Sequence, residues 1–226
     1  MTMERKLYWC IGILSVLIFV SSFFTPGKSS EKNDLPWHIE HPAPGMVRIF
    51  GLTLGSSTAH EAEQRFQEEA KPSLFKSPDG QLVAEMFFEQ VTLAGLKSRI
   101  VVNISVSTAE LQDMYERGLR ISGVGSGKKI TPAPEDATRL RALPISSLTY
   151  MPSTRLAEEI FVKRFGQPSQ RIKEKKSGAV HWLYPQNGLD ITLGGEEKPV
   201  LQYVPPQDFD KLLRPLLANG EVTGQT

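Results

Sequence analysis

Three places in the chain combine residue types that could do chemistry. The run Gly123-Val124-Gly125-Ser126-Gly127-Lys128-Lys129 sets glycines beside lysines, as a phosphate cradle would. A nucleotide-binding phosphate loop leaves four residues between its first glycine and Gly-Lys, and then needs a Ser or Thr hydroxyl for magnesium. Gly123 and Gly127 enclose only Val124, Gly125 and Ser126, and Lys129 stands where the hydroxyl belongs. The run reads as a flexible basic loop. His38, Glu40 and His41 are of the types that bind zinc, but they sit between Pro36, Pro42 and Pro44 with no rigid element to fix them. His181 could act with Ser177 or Asp190 in hydrolysis, yet no nucleophile elbow precedes it. It reads as a surface or packing histidine. No catalytic, cofactor or metal signature stands out, and a non-enzymatic role is expected.

A different kind of site follows from strand polarity. If Leu82, Ala84, Met86 and Phe88 face helices, then Val83, Glu85, Phe87 and Glu89 face away. Along Lys97 to Val106, the residues Ile100, Val102, Ile104 and Val106 share one face, and Arg99, Val101 and Asn103 share the other. In Val180 to Tyr184, His181 and Leu183 alternate with Val180, Trp182 and Tyr184. An outward face carrying Phe87, Arg99, Val101, His181 and Leu183 mixes apolar and charged groups as a protein-binding surface does. The alternative is that two sheets pack on each other, or that the long central loop covers this face.

The elements that must position these residues occur in the same order twice. In the first copy, Val47 to Leu54 is apolar, and Thr58 with Glu61 forms a capping box for a helix over Ala59 to Ala70. Strands are expected at Leu74 to Lys76, Leu82 to Glu89 and Lys97 to Val106. A second capping box, Ser107 with Glu110, opens a helix to Arg117. In the second copy, Ile145 to Tyr150 precedes a helix over Arg155 to Phe165. Strands follow at Arg171 to Lys175, Val180 to Tyr184, Leu189 to Leu193 and Val200 to Val204. A last helix, Asp208 to Leu217, repeats Phe209, Leu212, Leu213, Leu216 and Leu217 at helical spacing, with Pro215 expected to kink or end it. Leu52-Thr53 and Ser57-Thr58 recur at one offset as Leu148-Thr149 and Ser153-Thr154. The basic cluster Arg164, Arg171, Lys173, Lys175 and Lys176 reads as a solvated edge.

Leu7 to Phe24 carries no charge and follows Arg5 and Lys6. As a helix it would span about 27 Å, enough for a single membrane pass with the rest of the chain outside. A signal peptide cleaved near Ser22 is the alternative. Past residue 24 basic and acidic residues balance, which gives no electrostatic reason to expect nucleic acid. Cys10 is the only cysteine, so the remainder relies on its core rather than on disulfides. The expected division is a transmembrane signal anchor over 1–24, a Pro/Ser-rich tether over 25–45 and an α/β repeat over 46–118. A Gly/Pro-rich connection over 119–144, a second repeat over 145–217 and a disordered tail over 218–226 complete it. The expected fold class is α+β: an N-terminal transmembrane helix, then two tandem helix-plus-antiparallel-sheet repeats. The expected location is the bacterial inner membrane, with the bulk of the chain in the periplasm.

Ala157-Glu158-Glu159 leads to Phe165-Gly166-Gln167-Pro168. Then come His181-Trp182-Leu183-Tyr184 and Gly188-Leu189-Asp190-Ile191-Thr192-Leu193. A helix closed by Gly-x-Pro, an aromatic strand and a strand opened after Gly is similar to the BamE-like (SmpA/OmlA) envelope lipoproteins. In tandem the pattern resembles the beta-lactamase inhibitor protein fold. The resemblance covers Leu148 to Leu213 and, less closely, Val47 to Arg117. It implies binding of other proteins through an open sheet or its loops, without a cofactor. Cys10 lies near the start of the apolar run rather than at its end, so lipidation is not part of the resemblance. The expected function is a membrane-anchored adaptor or envelope assembly factor with an envelope protein as partner. The alternatives are an envelope enzyme or ligand-binding domain with a divergent site, or a secreted inhibitor of an envelope hydrolase.

Overall fold

Apolar and polar residues alternate over the two longest strands, and these sit inside one very wide sheet. The computed structural model describes residues 34–194 and 197–225, within a compact unit spanning Lys32–Thr226. Strands β1 (Ile39–Glu40), β2 (Arg48–Ile49) and β3 (Leu52–Thr53) form a small meander. Then follow α1 (Ala59–Phe66), β4 (Lys71–Lys76), β5 (Leu82–Leu93), β6 (Leu96–Ile104) and α2 (Thr108–Glu116). Next come β7 (Arg120–Val124), β8 (Gly127–Thr131), α3 (Pro134–Arg141), β9 (Ile145–Pro152) and α4 (Glu158–Phe165). Strands β10 (Gln170–Glu174), β11 (Val180–Tyr184), β12 (Leu189–Leu193) and β13 (Val200–Tyr203) precede α5 (Phe209–Asn219) and β14 (Gly220–Gln225).

The large sheet has 11 strands in the order β14-β10-β11-β12-β13-β9-β6-β5-β4-β8-β7, and its pairings are antiparallel. This corrects the expectation of two tandem repeats, each with its own sheet. Strand β9 is the seam: it pairs with β6 through Val101↔Thr149 and Val102↔Leu148, and with β13 through Leu201↔Tyr150 and Tyr203↔Leu148. The strands before and after β9 thus share one sheet. Sheet edges prefer pairing to solvation, and joining the two sets of strands removes two edges.

The expected membrane anchor is also corrected. No helix among the described residues is long and apolar enough to cross a membrane. The run Leu7–Phe24 and the start of the tether lie outside the described residues. The single-pass anchor and the inner-membrane and periplasmic placement find no support in the described fold and are set aside.

One face of the sheet carries the main core. Met86, Phe88, Ile100, Val102, Leu148 and Tyr150 are buried there beneath α1 to α4 and the small meander. Phe66 of α1 meets Phe88 edge-on at 5.0 Å, and Phe50 meets Tyr150 at 5.2 Å. Such ring pairs add about 0.5–1.5 kcal/mol beyond the area they bury. Phe50 has φ 53° beside Gly51, a turn that seats its ring in this core, and Arg65 Nε donates to the Phe50 carbonyl at 2.9 Å. The described end of the expected tether also packs down: Asp34 pairs with Arg65, and the Tyr203 hydroxyl donates to the Pro36 carbonyl at 2.6 Å.

The hydroxyls of Thr58 and Ser107 accept the backbone N–H of Glu61 and Glu110, each at 3.2 Å, and start α1 and α2. Ser153 and Thr154 do not cap α4. The Ser153 N–H bonds to the Lys97 carbonyl instead, β9 runs on to Pro152, and the helix begins only at Glu158. The segment 119–144 is a hairpin and a helix rather than a loop. Gly125 supplies the positive φ of 56° for the hairpin turn, and Ile130 is fully buried. A Cβ at Gly127 would stand 2.8 Å from the Lys76 carbonyl oxygen, so glycine lets β8 close on its neighbour. Helix α3 has Pro134 in its first turn with Glu135 and Asp136, and ends with Arg139 and Arg141, matching its dipole. Arg141 reaches Glu63 at 3.0 Å and fastens α3 to α1. The expected disordered tail holds β14, paired to β10. Helix α5 continues through Pro215 to Asn219.

Candidate interaction face

The register of the sheet decides where the expected contact residues lie. Reading across strands, Lys71, Phe87, Val101, Thr149, Gln202, Asp190, Leu183 and Gln170 stand in one row. Arg99 stands opposite Met151, one pleat along the same face, and His181 stands between Thr192 and Ile172. Phe87, Arg99, Val101, His181 and Leu183 therefore share the face opposite the main core. They do not share an environment.

At the β4–β6 end the face is open. Phe87 and Val101 are half-buried, Arg99 is exposed and Val83 is 40% exposed. Phe87 and Val101, with Lys71, Ser73, Phe75, Glu85 and Lys129, line a depression of about 230 Å³.

 Lys129 Nζ lies 5.6 Å over the Phe75 ring. Burial pushes the Glu85 carboxyl up, and the Lys129 charge pulls it partly back. Lys71 pairs with Glu89, which the nearby Arg99 charge also favours. The Glu68 carboxylate accepts the backbone N–H of Glu89 at 2.7 Å and of Gln90 at 3.0 Å, where the β5–β6 register shifts between Phe88 and Val91. That clamp fixes the irregular stretch of β5 just past Phe87.

At the β10–β11 end the same face is roofed by α5. Ile172, Leu183, Val204 and Phe209 form a second buried cluster, with Leu212, Leu213 and Leu216 of the helix packed on it. Leu183 is 1% exposed and cannot meet a partner. His181 Nδ1 lies 2.8 Å from Asp190 Oδ2, with side-chain exposures of 12% and 5%. Burial pulls the His181 imidazolium down, but the Asp190 hydrogen bond and charge, with Glu174, more than offset it, and the net direction is upward. Thr192 Oγ1 approaches the same Nδ1 at 3.3 Å. A nucleophilic relay needs the hydroxyl on one ring nitrogen and the carboxylate on the other, so this cluster is not arranged as one. Ser177 gives its hydroxyl to Glu174 in the adjoining turn. His181 is thus a packing residue with a charged partner.

The other chemistry candidates are dispersed as well. Glu40 is held by His38 at 3.3 Å and Arg48 at 3.4 Å, whereas His41 turns to the Met46 carbonyl and Asn187. No group of metal-binding side chains gathers among the described residues. The Gly-Lys run forms the β7–β8 hairpin, and its strand pairing uses backbone groups that a phosphate loop would leave free. In the basic cluster, Arg171 lies 4.8 Å over the Trp182 ring and Arg164 4.8 Å over the Trp37 ring.

The sequence reading missed Lys71 and Ser73 because it began their strand at Leu74, and it placed Phe75 in that strand without assigning it a face. Alternation carried back past Pro72 would have placed them on the face of Phe87. Lys129 was hidden in an expected loop, and only its pairing opposite Phe75 brings it to the depression. No protein-family model matches this chain, and neither a curated protein nor a solved structure matches it.

Proposed function

We propose that the protein is a non-enzymatic adaptor or assembly factor that binds another protein through the open β4–β6 end of its sheet face. The observation that carries this reading is the open patch itself: Phe75, Val83, Phe87 and Val101 form an apolar floor with charges around it. Outward-facing cations there are Lys71, Lys97, Arg99 and Lys129, against Glu85 and Glu89. That excess favours a partner surface that joins apolar side chains to acidic ones. The BamE-like resemblance over Leu148 to Leu213 implies protein binding too. The buried His181–Asp190 pair, with both hydroxyl and carboxylate on Nδ1, speaks against the enzyme reading.

A photo-crosslinking residue at Val83, which is exposed, identifies the partner, and binding of the purified partner is then titrated. Phe87→Glu and Val101→Glu are expected to weaken that binding about thirtyfold or more, as loss of a central interface anchor does. A partner that binds wild type and both variants equally, with all three proteins folded, removes this reading.

A further inference from the structure

The strand order leaves β7 at one end of the 11-stranded sheet, with β8 as its sheet neighbour. An end strand presents a row of backbone N–H and C=O groups that no strand pairs. Every residue of β7 is exposed. Leu119, Ile121 and Val124 are 66%, 54% and 50% exposed, the three largest values among the exposed large apolar residues. Proteins blunt such edges with lysine, proline or a bulge on the strand. Beyond Arg120 at its start, Ile121-Ser122-Gly123-Val124 carries none of these.

Charge decides what fits this edge. Leu119 to Thr131 contains Arg120, Lys128 and Lys129 and no acidic residue. Lys129 faces Phe75 and Glu85, which leaves the exposed Arg120 and Lys128 as the charge of the edge. A second copy aligned on β7 would set two cationic hairpins against each other, and like charges across strands oppose pairing. The opposite edge is not equivalent: Glu221 of β14 lies opposite Lys173 and 3.9 Å from Lys175.

The geometry points to β7 as a docking edge for an extended acidic and apolar segment of a partner protein, which adds to the sheet as a further strand. Backbone hydrogen bonds along β7 hold the segment, Ile121 receives apolar side chains on one face of the sheet, and Arg120, on the other face, selects acidic ones, with Lys128 adding to the positive field of the edge. The inference rests on the edge and not on the face around Phe87, so either can fail without the other.

The test uses the full chain and two short synthetic peptides, one alternating valine with glutamate and one alternating valine with lysine. The glutamate peptide is expected to slow amide hydrogen exchange at Arg120–Val124 and to bind about tenfold more tightly than the lysine peptide. Ile121→Glu is expected to weaken it about tenfold. The paired change Arg120→Glu and Lys128→Glu, at exposed positions that leave the fold intact, is expected to do the same. Phe87→Glu leaves peptide binding unchanged. Equal binding of the two peptides, protection elsewhere than β7, or protection of β7 that rises with protein concentration in the absence of peptide each overturns the inference; the last assigns the edge to a second copy.

Discussion

The two ends of the face opposite the main core have the same origin and opposite fates. Phe87 and Val101 lie in the same cross-strand row as Leu183. Phe87 and Val101 stay half-buried at an open patch, whereas Leu183 is sealed under α5. Size explains why one helix closes only one end. Helix α5 has 11 residues, so it is about 16 Å long and about 10 Å across. A sheet of 11 strands is about 48 Å wide. The helix roofs a few strands and leaves the rest bare. An outward apolar residue is therefore core or contact surface according to where the last helix lands, not according to its own strand.

The largest test of this contrast is a charge placed at each end. Leu183→Glu buries a carboxylate beneath α5 and is expected to cost about 4 kcal/mol or more, or to prevent folding. Phe87→Glu is expected to cost under about 1.5 kcal/mol, because the new carboxylate can reach water. Urea unfolding measures both, and equal costs would mean that the β4–β6 end is covered as well. Next in size, Phe209→Ala removes the ring that α5 sets into the closed end, at about 3 kcal/mol. An unfolding midpoint that does not move would show that α5 is not the roof.

The His181–Asp190 pair supplies a pH test of the closed end. The folded-state pKa of His181 is raised, so its contribution is fully present below the ordinary value of 6.5 and is lost as pH rises through the higher folded value. Stability in urea is expected to fall as pH climbs above 6.5, and Asp190→Asn is expected to flatten that fall. A wild-type profile that stays level over this window would separate the pair from the stability of the roof. The smallest effect is expected at Val83→Glu, which lies on the open end with 40% exposure. It should change stability by no more than about 0.5 kcal/mol while weakening partner binding. A larger loss in the unfolding experiment would show that Val83 is covered in solution.

Much of the local structure was legible in the residues. Alternation through Arg99, Ile100, Val101 and Val102 marked β6, and Thr58 and Ser107 cap helices where their spacing to Glu61 and Glu110 placed them. The face shared by Phe87, Arg99 and Val101 followed from the same alternation. Other elements were masked by local signals. Glycines at 123, 125 and 127 suggested a loop, yet they make a hairpin whose tight approach to Lys76 needs Gly127. Pro215 suggested a helix end, yet α5 runs on to Asn219, whose side chain donates to the Pro215 carbonyl at 2.9 Å.

By itself, the sequence determined most of the strands and helices outside 119–144 and 218–226, and which side chains fall on the same side of those strands. These follow from backbone sterics, caps and a two-residue period, all of which act over a few residues. Only the tertiary structure decided that β9 joins β6 and β13 into one sheet, that α5 lands on β10 and β11, and that β7 is left at the edge. Those outcomes depend on pairing between segments far apart in the chain. Alternation specifies a face for each strand but not its neighbours or its cover.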